Sequence, residues 1–290
     1  AVIWTGYLQG HKKLIQVGFY ALSGAMFKFI LAVAFGAAWG TIGALWGVLI
    51  GTLMGLLTLR LAAGLKLPKI STVLGSLSVS DRAFLRGLLF YVLGAIIVVG
   101  GLGILQNVDI IFAKALFDSQ TAGIYSGVSI LSNAIYYVAF LLVWIVLPEI
   151  EPKNPAINRR VLSSAYKFLL LIVAGALIVE LLFRDNLTKF LLGSGFAGQA
   201  EVLLFATLYQ TSLIAVTIYA FYLLILRDFR SYVLGLCVII PSLVMPWLFG
   251  SNPKNMIISL WLSVLLGVVI YFIINMVFVE KGSDVKRTVG

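Results

Sequence analysis

The feature that most constrains this chain is a succession of apolar runs, each long enough to cross a bilayer. A spanning helix needs about 20 mainly apolar residues, whereas a barrel strand needs about 9–11 in strict alternation. Eight helix-length runs follow one another, at roughly 15–36, 40–61, 84–105, 122–147, 161–183, 202–226, 232–249 and 255–279. Only 11% of the 290 residues are charged and 61% are hydrophobic, against about 25% charged in soluble domains. A single soluble core could not bury that much apolar surface, but lipid accepts it on helices. The expected fold class is therefore all-α, a polytopic membrane bundle with about eight transmembrane helices visible.

The net charge of +10 is distributed as membrane topology requires, and so does not point to nucleic acid. If the runs alternate in direction and the HKK turn (11–13) is cytoplasmic, Lys114, Arg184, Lys189 and Lys254 fall on the opposite side. Lys28 lies within a run, and all other Lys and Arg gather with HKK. This positive-inside bias predicts a multi-pass protein of the cytoplasmic membrane, with the C-terminus in the cytoplasm and the bilayer as its first partner. Cys237 is the only cysteine and His11 the only histidine, so no intrachain disulfide, metal site or cofactor is expected.

Residues 1–8 read as the end of an earlier apolar helix rather than as a signal peptide. Residues 62–83, with Pro68, several serines and Lys66, Lys69 and Arg82, form the longest polar stretch and mark a boundary. Two runs precede it, six follow it from 84 to 279, and 280–290 is a tail. A repeat crosses this boundary. KKLIQVG (12–18) resembles FRSYVLG (229–235), and ALWGVLIG (44–51) resembles SLWLSVLLG (259–267). Both copies run in the same direction through the membrane, as parallel repeats do. Glycines at 43, 47, 51 and 55 form a four-residue ladder that we read as a packing face.

Charged groups inside apolar runs cost about 2.5–3.5 kcal/mol each and mark function by default. Tyr20, Gly24 and Lys28 share one helical face, which suggests a cation lining a cavity for an anionic substrate. Snorkelling of Lys28 to the headgroups is the structural alternative. The stretch 106–138 organises the rest, placing Asn107 and Asp109 at the end of one run, a charged turn after them, and then a helix rich in small residues and hydroxyls. Asn107 and Asp109 read as a polar pair at a cavity mouth, able to bind a cation or carry a proton, or else as helix-end chemistry. Glu180 is a further ion-coupling candidate, although pairing with Arg184 at i, i+4 is favoured. Glu201 reads as a helix cap. GSGFAG (193–198) matches a dinucleotide fingerprint only literally, because it lies between spans and not after a strand. No catalytic triad or paired carboxylate is visible, so no enzyme is expected.

The runs LQGHKKLIQVG, QNVDIIFAKALFDSQTAGIYS, LPEI and LLFRDNLTKFLLGSGFAGQA, in that order and spacing, resemble the polysaccharide and O-antigen flippases. These belong to the multidrug/oligosaccharidyl-lipid/polysaccharide exporter superfamily. The similarity covers Tyr7 to Val279. It implies two six-helix lobes around a central cavity, with about four N-terminal helices preceding this stretch, so that 1–61 ends the first lobe and 84–279 is the second. It also implies alternating access that moves a lipid-linked oligosaccharide across the membrane, with polysaccharide polymerase machinery as a further partner. A cationic cavity would suit Lys28 and Arg86 facing a pyrophosphate. A cation-coupled drug or metabolite antiporter of the same superfamily is the alternative, in which Asp109 would matter more. A membrane glycan polymerase fits less well, since its catalytic groups need a larger outer loop than 184–201 provides.

Overall fold

The computed structural model describes residues 8, 13–63 and 91–288. Among the described residues there is no strand, and seven helices are long and apolar enough to cross a membrane. The protein is a multi-pass, all-α membrane protein. The chain forms two compact units, 1–82 and 83–290.

The first unit contains α1 (Leu14–Ala63), which folds back on itself where Trp39 and Gly40 leave helical geometry. Gly40 adopts φ 63° with ψ −148°, a conformation open essentially to glycine alone. The two arms account for the first two apolar runs, so one long helix supplies two spans. The glycine ladder is their seam. A Cβ on Gly51 would lie 2.6 Å from Lys28 Cα, one on Gly47 2.6 Å from Ala32 N, and one on Gly55 3.0 Å from Gly24 Cα. Ser23 and Thr58 share a hydroxyl hydrogen bond of 3.3 Å across the seam.

Among its described residues the second unit has six long helices, namely α2 (Tyr91–Leu116), α3 (Ser119–Val146), α4 (Pro155–Leu192), α5 (Ala200–Ile225), α6 (Arg230–Phe249) and α7 (Pro253–Thr288). They run alternately up and down. At one end Leu116 touches Gly250, the Phe196 ring meets Gly127, and Lys254 pairs with Glu201. At the other end Tyr91 donates to Leu224 O at 3.1 Å, and Tyr232 lies against Gly94. Helix α5 carries apolar residues around its whole circumference, as a helix central to a bundle does, and it touches each of the other five. Local signals set the ends. Asn154 accepts from Ile157 N ahead of Pro155 and starts α4. Asp118 accepts from Gln120 N and Thr121 N and starts α3, as N-cap residues do.

Several expectations need correction. The third run does not end at residue 105, because its helix continues to Leu116 through a π-turn at Ile96–Gly100. FAKAL (112–116) therefore continues the same helix. Helix α4 extends past 183 to Leu192. GSGFAG forms a short turn in which Gly193 and Gly198 take positive φ. In the repeated runs, Gly51 and Gly267 end the two similar segments, and each presses on the backbone of the preceding helix. A Cβ on Gly267 would lie 2.7 Å from Val238 Cα.

Candidate functional site

Asp109 lies within α2, two turns before its end, and is fully buried. Tyr125 of α3 donates its hydroxyl to Asp109 Oδ2 at 2.9 Å, and Ser129, one turn further on, donates to the same oxygen at 2.5 Å. The other carboxylate oxygen, Oδ1, is buried without a hydrogen-bond partner. No cation pairs with Asp109 among the described residues. In so apolar a bundle a carboxyl placed like this needs either a proton or a cation for charge balance.

The polar groups continue from Asp109 into α5. Tyr209 donates to Leu105 O, and its neighbour Gln210 donates to Gln106 O at 3.0 Å and to Asn133 Oδ1. Consecutive residues of α5 thus grip consecutive carbonyls of α2, while Asn133 brings in α3. Tyr125, Ser129 and Asn133 fall at i, i+4 and i+8, which places them on one face of α3. Further unsatisfied atoms cluster here, since Gln106 Nε2 and Gln210 Oε1 are buried without partners. The result is a polar seam between three spanning helices, with spare donor and acceptor capacity next to one carboxyl.

The sequence candidates are placed differently from one another. Asn107 does not accompany Asp109, because residues two apart point to different sides of a helix. Asn107 is exposed while Asp109 is enclosed. The stripe of Tyr20, Gly24 and Lys28 is not an open groove, since Gly55 covers Gly24 and touches Tyr20, and Gly51 covers the backbone of Lys28. The Lys28 side chain leaves that seam and is exposed, and among the described residues no carboxylate pairs with it. Glu180 is half-buried, and its described partner is Thr207 on α5, which donates to Oε1 at 2.5 Å. Oε2 of Glu180 has no partner, and the side chain of Arg184 lies outside the described residues. Glu201 sits in the first turn of α5, where the helix dipole favours an acid, but the N-cap is Gln199, and Glu201 also takes an ion pair from Lys254 at 2.5 Å. Arg86 lies outside the described residues.

Sequence reasoning passed over Tyr125, Ser129, Asn133, Tyr209 and Gln210 as individuals. The i, i+4, i+8 spacing on α3 was the available signal for three of them. Tyr209 and Gln210 gave none, because only the packing of α5 on α2 brings them to the seam.

Two carboxyl groups outside the spans complete the electrostatics. The side-chain and backbone hydrogen bonds from Thr121 hold Asp118 below its ordinary pKa. Burial pushes Asp228 up, but hydrogen bonds from Arg230 and its charge outweigh that and leave Asp228 lowered. Compared with protein-family models, curated proteins and solved structures, the chain matches none of them.

Proposed function

We propose that this protein is a transporter that flips a lipid-linked oligosaccharide across the cytoplasmic membrane by alternating access, in the synthesis of a cell-surface polysaccharide. The observation that carries the transport reading is the buried Asp109 carboxyl, with two hydroxyl donors on Oδ2 and nothing on Oδ1. An ionisable group enclosed by spanning helices is costly and is kept where charge must move. Ionised, Asp109 calls for a further donor or a cation at Oδ1. Protonated, it does not. Its charge state is thereby linked to the fit of α2 against α3 and α5, so that taking up a proton or cation biases the packing within this unit.

The substrate class rests on the resemblance carried by Tyr7 to Val279 and on Lys28. Its exposed ammonium on an otherwise apolar arm complements a pyrophosphate headgroup. The test uses a strain that accumulates lipid-linked repeat units inside the cell. The parent protein should restore surface polysaccharide, while Lys28→Ala and Asp109→Asn at equal expression should not. Undiminished rescue by Lys28→Ala would remove the anionic-headgroup role of that lysine.

The Asp109 seam also favours a second reading, a cation-coupled drug or metabolite antiporter. Failure to rescue with several lipid-linked sugars, together with drug resistance abolished by Asp109→Asn, would establish that reading instead.

A further inference from the structure

Away from the Asp109 seam, the six-helix unit contains a cavity of about 470 Å³ between α4, α5 and α7. Its size falls within the range of about 300–1,000 Å³ usual for small-molecule sites. Leu162 and Tyr166 of α4, Val216 and Tyr219 of α5, and Val268 and Tyr271 of α7 form most of its wall. Two of the polar groups along it are tied back into the protein, while the buried Tyr271 hydroxyl has no hydrogen-bond partner. Tyr166 donates to Ala215 O at 2.9 Å, and the Ser212 hydroxyl accepts from Trp261 Nε1 at 3.2 Å. Tyr219 stands edge-on to Tyr271, with ring centroids 6.3 Å apart. Apart from that one hydroxyl, the surface left facing the cavity is mainly hydrocarbon and aromatic ring, with little to bind a sugar or a polar drug. Water would gain few hydrogen bonds there, whereas a hydrocarbon chain loses nothing by entering. The cavity is open on one side, where Leu265 and Phe272 of its wall are 39% and 53% exposed.

One end of the cavity is charged. The Arg230 guanidinium lies within electrostatic reach of both Tyr219 and Tyr271. Arg230 uses Nε and one terminal nitrogen on Asp228, at 2.7 Å and 2.5 Å. A guanidinium has five N–H donors, so others remain, and the side chain is 43% exposed. The turn from Arg227 to Arg230 carries two arginines against one aspartate, an excess of positive charge near Tyr219 and Tyr271 of the apolar slot. That combination fits an amphiphile with a single anionic head.

We propose that this cavity binds one acyl chain of an anionic membrane phospholipid, with the headgroup phosphate held by Arg230 at the Arg227–Arg230 turn. The site is separate from the Asp109 seam and does not depend on what the protein transports.

Native mass spectrometry of the full chain in neutral detergent tests this, with dioleoyl phosphatidylglycerol and dioleoyl phosphatidylcholine added in turn. The expected result is one retained phosphatidylglycerol, preferred about fivefold over phosphatidylcholine, the advantage that one surface cation confers. Val268→Trp, which fills the slot, and Leu265→Trp, which closes its mouth, should both abolish retention while thermal melting confirms that they fold. Arg230→Gln should leave the two lipids retained equally. If neither tryptophan variant folds, Arg230→Gln alone decides. Equal retention of both lipids by the parent, or an unchanged preference in Arg230→Gln, would overturn the proposal. So would unchanged retention in folded tryptophan variants. Displacement of phosphatidylglycerol by a polyprenyl phosphate at equal concentration would also overturn it and assign the cavity to the polyprenyl chain.

Discussion

Tyr125 on α3 donates its hydroxyl to the Asp109 carboxylate on α2 at 2.9 Å, joining two helices across the turn at Phe117–Asp118. Ser129 donates to the same oxygen, so one carboxylate oxygen is fully used and the other is left open. Asp109→Asn keeps an oxygen for both hydroxyls but cannot gain or lose a proton. We expect melting within about 2–4 °C of the parent, as for a change of about 1 kcal/mol in a protein of this size, together with loss of transport. Retained transport in a folded Asp109→Asn protein would remove Asp109 from the coupling mechanism. Tyr125→Phe deletes one of two donors to Oδ2 and leaves Ser129 in place, so chemical denaturation should show a loss of about 0.6–1.7 kcal/mol.

The α1 hairpin depends on glycine at its seam. Gly47→Ala places a methyl group against the Leu31 carbonyl and 2.6 Å from Ala32 N, both of them backbone, so the arms must separate. Gly18→Ala meets nothing within 4 Å and serves as the control. Because Ser23 and Thr58 have hydroxyls 3.3 Å apart, a Ser23→Cys/Thr58→Cys pair is close enough for a disulfide. Oxidation should cross-link the parent hairpin readily. Adding Gly47→Ala should slow that reaction severalfold, and adding Gly18→Ala should leave it unchanged. Equal rates in both would show that the seam tolerates a side chain.

Gln210 bridges three helices through one amide nitrogen, reaching Gln106 O and Asn133 Oδ1. Interhelical hydrogen bonds in membranes are worth about 0.6 kcal/mol on average and about 1.7 at most. Gln210→Leu should therefore destabilise the bundle modestly, and Asn133→Leu should do the same. In the double variant the two losses should fall short of adding, because a shared bond is lost only once. Full additivity in chemical denaturation would mean that the bond contributes nothing to stability.

At the opposite end, Asp228 is held below its ordinary pKa by Arg230, against the effect of burial. A lowered folded value stabilises the protein above the unfolded pKa of about 3.9 and loses that contribution as pH falls through the folded value. Asp228→Asn should lower stability at pH 7 by less than about 1 kcal/mol, since the pair is partly exposed. Its deficit against the parent should shrink as pH falls below the unfolded value and vanish only below the lowered folded value. Melting curves between pH 7 and 3 provide the measurement, and a constant deficit would point to lost backbone hydrogen bonds rather than charge.

Closure of α6 on α7 centres on Gly267, which faces the carbonyl of Cys237, four residues before Pro241. Proline at 241 has no N–H to give that carbonyl, and glycine at 267 lets a neighbouring helix cover it. Gly267→Ala should push the two helices apart and speed thiol labelling of Cys237, the only cysteine. An unchanged labelling rate would mean that the pair absorbs the methyl group without opening.

Much of the architecture was legible in the chain because its signals are local. Apolar length gives the spans and the glycine ladder gives a packing face, whereas the start of α4 at Pro155, six residues before its apolar run, was not read. The end of α2 was misjudged for a physical reason. Gln106, Asn107 and Asp109 look like the edge of an apolar run, yet Asp109 and Gln106 are accommodated inside the bundle by hydroxyl and amide partners from α3 and α5. Polarity in the sequence cannot distinguish water from a buried partner. Lys28 shows the converse, since its helical face was readable but not that glycines of the returning arm would occupy it.

By itself the sequence determined that this protein lives in a membrane as helices, because backbone hydrogen bonds and apolar length are properties of each segment alone. Only the tertiary structure decided which polar residues meet. Tyr209 and Gln210 reach α2 through the central placement of α5, and Asp109 finds Tyr125 through the register of two helices joined by a tight turn. Those pairings depend on how neighbouring surfaces interlock, and no single segment carries that information.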